Sequence, residues 1–305
     1  SASAASMNIT GEAVTFTGEN GSLYQPVYGT DDDLVLYLPF SENLINISNT
    51  TYDRSPYGND GTLVNLNRGN MTNGTGWSSG KYGNAMEFNG EGSYVDLGIG
   101  NIGTTLNGAS SVSLSSWVKV ASGTSASSGL IGTIIDSNNK VGQNIGFANV
   151  GSTFNFKIGG RSVAGDSYQS HTTKTYNFDE WLHVVSVIDY PNDKISVYVN
   201  GELEGSTSVT FTNSAYTLGT PTISDSIGTS GGFGSGAFFN GTIDEVRIYK
   251  RALTAEEIRT HYLRGKGYGA SGAITADKFR VVNTSGSRTM ELNGTAFEVF
   301  SNSGA

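Results

Sequence analysis

Cysteine is absent from the 305 residues, so neither a disulfide nor a cysteine metal site can hold this chain together. Such a protein relies on its core, on bound ions or on assembly. Basic residues are also few: 18 Lys and Arg against 27 Asp and Glu leave a net charge of −9. They form no basic stripe, which argues against nucleic acid or an anionic membrane surface as a partner. No apolar run approaches the roughly 18 residues of a membrane-spanning helix, so no membrane insertion is expected. The first six residues, Ser-Ala-Ser-Ala-Ala-Ser, lack the basic and apolar regions of a signal peptide.

What is abundant is glycine, 42 residues, together with Ser, Thr and Asn between short β-branched and aromatic runs. Short strands joined by many turns follow from that pattern, and the fold class is all-β. The clearest hairpin runs over 182–190 and 195–199, with Pro191-Asn192-Asp193-Lys194 between the strands and Asn200-Gly201 closing the second. Val112, Leu114, Val118 and Val120 share one side of a strand and Trp117 takes the other, so something is expected to cover the second side. Thr254 and Glu257 form a capping box that starts a short helix, with Gly265 just past its end. Five glycines in 228–236 predict a loop, placed as the rim of any binding surface.

Seven blocks stand in order: Leu34-Val35-Leu36-Tyr37-Leu38-Pro39-Phe40, Asp53-Arg54-Ser55-Pro56-Tyr57-Gly58-Asn59-Asp60-Gly61, Lys81-Tyr82-Gly83-Asn84-Ala85-Met86, Ser115-Ser116-Trp117-Val118, Glu180-Trp181-Leu182-His183-Val184, Val197-Tyr198-Val199-Asn200-Gly201 and Gly241-Thr242-Ile243-Asp244-Glu245-Val246-Arg247-Ile248-Tyr249. Together they resemble the laminin-G-like (concanavalin A-like, pentraxin-type) jelly-roll family over residues 31–264. The resemblance implies a two-sheet jelly-roll sandwich with one short C-terminal helix. Around it the sequence reads as an N-terminal strand arm (1–30), a Gly-rich linker (265–272) and a C-terminal strand arm (273–305).

The resemblance also implies a structural calcium ion. Its ligands would be Asp53, Asn59 and Asp244, with the Gly58 carbonyl and the Glu42 carboxylate as additions; Pro56 stands where relatives frequently have Gly. The alternative is that Asp53 makes an Asx turn and Asp244 caps a neighbouring loop. Sugar binding, the family's other common role, would use an aromatic ring at a loop; Tyr57, Trp77, Tyr94, Tyr168 and Phe233 are the candidates.

Catalysis is not expected. Glycosidases of this fold carry Glu-x-Asp-x-Glu-like carboxylates on one strand face. No such triplet stands here; Glu202 and Glu204 have a suitable parity, but they follow the Asn200-Gly201 turn. His171, His183 and His261 have no Ser or Cys partner in any motif. Sequons at Asn8, Asn46, Asn49, Asn70, Asn73, Asn240, Asn283 and Asn293 fit an N-glycosylated extracellular protein on a cell or virion surface; chance in an Asn- and Ser-rich chain is the other reading.

Residues 7–16 align without gaps to 290–299, pairing Ile9 with Leu292, Val14 with Phe297 and Phe16 with Val299. Two such strands, unable to bury an apolar face alone, either fold back on their own sandwich or pair with another copy. Pairing between different surfaces of two copies gives an open homopolymer. The sequence therefore points first to a subunit of a surface filament or fibre, and second to an adhesin binding cell-surface glycans. If filaments form by strand exchange, removing residues 1–20 or 288–305 abolishes fibres in negative-stain electron microscopy while leaving a folded sandwich. Monodisperse particles from the full chain would overturn the filament.

Overall fold

The computed structural model describes residues 7–10, 13–16, 32–41, 49–66, 76–123, 129–135, 141–162, 168–221, 224–229, 238–267, 279–282 and 288–292. The chain divides into two units, Asp31–Gly265 and the two ends, Ser1–Thr30 with Lys266–Ala305.

The N-terminal end holds β1 (Met7–Thr10) and β2 (Ala13–Phe16). The first half of the larger unit holds β3 (Leu34–Leu38), β4 (Thr50–Thr51), β5 (Gly61–Val64), β6 (Gly76–Ser79), β7 (Asn84–Asn89), β8 (Tyr94–Ile99), α1 (Asn101–Leu106) and β9 (Ser111–Val120). Then come β10 (Gly129–Ile135), β11 (Val141–Val150), β12 (Thr153–Arg161), β13 (Tyr168–His171), β14 (Tyr176–Asn177), β15 (Trp181–Asp189) and β16 (Lys194–Val199). The order ends with β17 (Glu202–Ser208), β18 (Ser224–Ile227), β19 (Asn240–Tyr249), α2 (Ala255–Gly267), β20 (Phe279–Val282) and β21 (Arg288–Leu292).

Two antiparallel sheets make the sandwich. The first has the order β17-β16-β15-β9-β19-β7-β6, with β3 also on β19; the second has β13-β12-β11-β10-β18-β8-β5-β4, with β14 also on β12. One core joins them: Leu114, Val118, Val184 and Ile243 of the first sheet pack with Val95, Phe147, Phe154 and Phe156 of the second. Alternation along β12 makes the logic plain, because Phe154, Phe156 and Ile158 are buried while Asn155, Lys157 and Gly159 between them are half-buried.

Strict alternation fails in β19, where Ile243 and Val246 are three apart yet both face the core. A bulge reconciles them. Asp244 lies opposite Trp117 and Arg247 opposite Ser115, so Glu245 and Val246 share one partner position, and Glu245 takes a left-handed φ of 55°.

The expected capping box is formed: the Glu257 N–H donates to Thr254 Oγ1 (3.2 Å) and the Thr254 N–H to Glu257 Oε2 (2.8 Å). Burial alone would raise the Glu257 pKa, but bonds from Arg251 and Thr254 outweigh it and set the carboxyl at about 2. The helix does not stop before Gly265; α2 continues to Gly267, taking the first three residues of the expected linker. A second helix, α1, was not legible, because six residues with two Thr and one Gly offer weak propensity and only Ile102 and Leu106 as an apolar stripe. The N-terminal arm holds two strands where the sequence suggested one, and they pair with each other.

The β16–β17 turn brings the hairpin to α2. Asn200 and Gly201 both have positive φ (52° and 84°), as a two-residue hairpin turn needs. A Cβ at Gly201 would also lie 3.2 Å from the Arg259 Cα and 3.2 Å from the Tyr262 ring. Gly151, in the β11–β12 turn, has a φ of 63° with open space around it. Gly151→Ala is therefore expected to cost only the left-handed penalty, about 1–2 kcal/mol. Gly201→Ala should cost clearly more in urea unfolding, and equal losses would refute the α2 contact.

Candidate functional site

The outer face of the first sheet is covered over β3, β9, β15 and β19. Leu34, Val185, Val187 and Tyr249 pack there against Leu253 and Ile258, and the Tyr262 ring of α2 stacks on Trp117 at 5.8 Å. Lys81 Nζ sits over the Trp117 ring at 4.6 Å. This is the cover that the two-sided strand β9 called for.

Beneath it lies a buried polar group that sequence reasoning did not assemble. His183 Nε2 is 3.0 Å from Ser115 Oγ, a pairing that no motif announced, because the two residues meet only through the β9–β15 register. Both are closed to solvent, and burial with nearby His261 and Arg247 pushes the His183 pKa well below its usual value. Glu245 accepts from Arg247 and from Tyr37 Oη (3.1 Å to each oxygen), while the Arg247 guanidinium covers the Tyr37 ring at 4.2 Å. The Ser–His pair is thus packed like core, with no access for a substrate.

The calcium candidates do not converge. Asp53 uses both oxygens as a loop staple: Oδ1 accepts from the Tyr37 and Ser55 N–H groups (2.8 Å each), and Oδ2 from Ser55 Oγ (2.6 Å) and the Asn59 N–H (2.8 Å). Asn59 turns its amide nitrogen to the Val35 carbonyl, and Gly58 supplies a φ of 67°. At Tyr37 both the N–H and the C=O bond towards Asp53 and Arg54, so the β3 backbone stands between Asp53 and β19. Asp244, in β19, accepts from the Tyr82 N–H at 2.9 Å and is fully buried, with Oδ1 unpartnered. Glu42 lies outside the described residues. Among the described residues no three His, Asp or Glu side chains cluster to hold a metal ion, and the expected ligand set does not fit one. Asx turn and loop cap describe Asp53 and Asp244 better.

Other expected positions are dispersed. Glu202 pairs with Arg259 (3.1 Å) and Glu204 with Lys174 (2.5 Å), because a bulge between Val197 and Tyr198 breaks their shared face. Asn49 is exposed and Asn240 half-buried in β19; Asn8 lies in β1, and Asn46, Asn70, Asn73, Asn283 and Asn293 lie outside the described residues. Ile9 stands opposite Val14, Phe16 opposite Met7, and Leu292 opposite Phe279, so each end pairs within itself; Phe297 and Val299 are outside the description. Trp77 is core against Phe40, and Tyr168 packs on Phe211. Tyr57 bonds Asp32 and Lys250, and Phe233 lies outside the described residues, as does most of the 228–236 loop.

Tyr94 remains, and it lies on the outer face of the second sheet. No described element covers that face. The strand register aligns one row across it: Gln169, Gly159, Asn144, Gly132, Ser226, Asp96, Thr62 and Thr50. Every member is polar or glycine. Seven strand spacings make the row about 34 Å long. The Asn144 side chain lies over Gly159, whose missing Cβ would sit 2.8 Å from Asn144 Oδ1, and accepts from the Gly159 N–H at 3.0 Å. Ser226 Oγ, in mid-row, is buried with no partner. Asp96 Oδ1 accepts from the Gly98 N–H (2.8 Å). Beside Asp96, the Tyr94 ring stacks on Phe238 at 6.3 Å. Gly142 and Gly146 add two more glycines on the same side of β11.

Residues 89–259 match a family described as the concanavalin A-like lectin/glucanases superfamily. The chain belongs to that superfamily. Solved structures share its concanavalin A-like fold. Domain 4 of AbnA, a GH43 extracellular arabinanase from Geobacillus stearothermophilus solved in complex with arabinotriose, aligns at 24% identity and a TM-score of 0.54, covering 75% of this chain and 97% of that one. A Trypanosoma rangeli sialidase aligns at 20% identity and 0.53, over 77% of this chain and 33% of the enzyme. Botulinum neurotoxin type C aligns at 15% identity and 0.51, over 77% and 52%. No curated protein matches the chain in sequence. Among the described residues no helix is long and apolar enough to cross a membrane.

The buried carboxyls of this concanavalin A-like domain have a measurable consequence. Burial raises Asp244 to about 8 against the pull of the Tyr82 N–H, and nearby Glu245 adds to the rise. Asp225, which accepts from the Ile102 and Gly103 N–H groups of α1, is raised by burial to about 7. An acid with a folded pKa above its unfolded value of about 3.9 binds its proton more tightly when folded, so stability falls as pH rises from about 4 to 8. Asp244→Asn is expected to flatten that fall between about pH 4 and pH 8 in urea unfolding, leaving the share due to Asp225. An unchanged slope would mean that Asp244 ionises as an ordinary carboxyl.

Proposed function

We propose that the sandwich is a non-enzymatic carbohydrate-binding domain of an extracellular protein, which holds a glycan on the outer face of its second sheet, along the half-buried and exposed members of the row. The observation that supports this most is the cross-strand row from Gln169 to Thr62, polar or glycine at every position on a face that no described element covers. Sugar hydroxyls need partners that both donate and accept, and the Asn144 and Gln169 amides do both, while Asp96 accepts. Gly146, half-buried on the outward side of β11, lets a chain approach the sheet backbone. The stacked Tyr94 and Phe238 rings offer an apolar surface at the far end. Support also comes from like folds: the arabinanase domain was solved with arabinotriose, and the neurotoxin's cell entry depends on two ganglioside molecules.

A filament subunit is the second reading. It rests on the two-stranded sheets at the ends, β1–β2 and β20–β21, since an isolated two-stranded hairpin is marginal in water and gains from further pairing. The strand-removal experiment above tests it separately.

For the carbohydrate reading, the full chain is probed on an array of neutral and acidic glycans. Asn144→Ala and Gln169→Ala are expected to weaken binding about tenfold or more while the melting temperature holds. A chain that retains no glycan, or variants that bind as well as the parent, would overturn it.

A further inference from the structure

The outer face of the second sheet is not electrically neutral, and this bears on which glycans it takes. In a chain of net charge −9, strands β10, β11, β12 and β13 contain no Asp or Glu. They do contain Lys157, Arg161 and His171. Lys157 and Arg161 share the outward side of β12, either side of Gly159, and His171 stands directly opposite Lys157 on β13.

Most cations of the sandwich are engaged. Lys174 pairs with Glu204, Arg247 with Glu245, Arg251 with Glu257 and Arg259 with Glu202, while Lys81 and Lys119 lie over tryptophan rings. Lys157 and Arg161 make no ion pair and no side-chain hydrogen bond with any described residue. The nearest acid in the outward row is Asp96, four strands from β12, about 19 Å away. Facing cationic and imidazole side chains with no carboxylate between them gain nothing from each other.

The register adds a shape. Gly146, half-buried, lies opposite Lys157 and leaves a notch on the β11 side of that cation; Gly142 lies opposite Arg161 and is itself buried. Between these two glycines stands Asn144, its amide over Gly159. Beside Lys157, Asn155 Oδ1 is buried without a partner, an acceptor set for a donor that the described protein does not supply.

We infer that this end of the face binds the anionic groups of an acidic glycan, a sugar chain bearing carboxylates or sulfates, through Lys157, beside the Gly146 notch, and Arg161. This rests on the carbohydrate reading above and narrows it. Lys157 and Arg161 are four residues apart, about 13 Å along the strand. That spacing suits anions repeated along one chain. The acceptors and amides further along the row take the neutral hydroxyls.

The test uses the full chain and four soluble polymers in affinity electrophoresis: polygalacturonate, chondroitin sulfate, linear arabinan and polyphosphate, at low and at raised salt. At low salt at least one acidic polysaccharide is expected to bind about tenfold or more tightly than arabinan, and raised salt should erase the difference. Polygalacturonate carries carboxylates alone and chondroitin sulfate carries both groups, so a lead for chondroitin sulfate that desulfated chondroitin loses marks sulfate, and one that it keeps marks carboxylate. Lys157→Gln combined with Arg161→Gln should remove the preference while keeping arabinan binding and the melting temperature. Lys194→Gln, on the exposed β15–β16 hairpin end, should change nothing.

If the double variant keeps the preference, or arabinan binds as tightly as both acidic polymers, the acidic-glycan inference fails and sugar binding stands. Polyphosphate binding as tightly as the acidic polysaccharides would also overturn it, marking a general polyanion surface. If neither the parent nor any variant binds arabinan or an acidic polysaccharide, the carbohydrate reading itself fails.

Discussion

The bulge in β19 is the constraint on which the rest of the sandwich depends. By letting Glu245 and Val246 share one partner position, it turns Ile243, Val246 and Ile248 all towards the core. The same strand then pairs β7 through residues 240–243 and β3 through residues 246–249, on one side, and β9 on the other. The left-handed φ at Glu245 has a steric cost, which the Glu245 bonds to Arg247 and Tyr37 offset. Asp244 is carried into a site where it is buried with one oxygen unpartnered, and desolvation keeps its proton on near neutral pH.

From this strand the two faces of the molecule acquire different fates. The chain leaves β19 through Arg251 and the Thr254–Glu257 cap, and α2 comes down over β9, β15 and β3. Its Tyr262 ring closes over Trp117 and its backbone passes Gly201, so the outer side of the first sheet becomes a second small core. An aromatic stack of this kind contributes about 0.5–1.5 kcal/mol beyond its buried area. The second sheet has no such helix among the described residues. Its outward positions include amides, hydroxyls, glycines, Asp96, Tyr94, His171 and two cations, Lys157 and Arg161, that pair with no described residue, a composition that tolerates water and suits a polar ligand.

Much of the fold was legible because its signals are local. Alternation in β12, the hairpin of β15 and β16, the Asn200-Gly201 turn and the capping box each depend on residues a few positions apart. The family blocks were legible for the same reason, and the superfamily match over residues 89–259 bears out the family they resemble. α1 was missed because six residues of weak propensity leave no periodic trace. The far end of α2 was misjudged because Gly265 is an ordinary stop signal that helical residues on either side here override.

The site was less legible, since it is made by register. Asp53 and Asp244 were read as ligands of one ion, but the β3 backbone separates them, and only pairing on β19 reveals that. Glu202 and Glu204 shared a face on paper until a bulge divided them. Asn144, Gly159, Gln169, Ser226 and Asp96 are scattered over 130 residues and nothing in their spacing joins them. The sequence by itself determined the sheet-forming runs, their turns and the capped helix, because those rest on side-chain alternation and short-range hydrogen bonds. Only the tertiary structure decided which face is closed by α2 and which polar residues fall into one row, because each depends on how distant strands slide against one another.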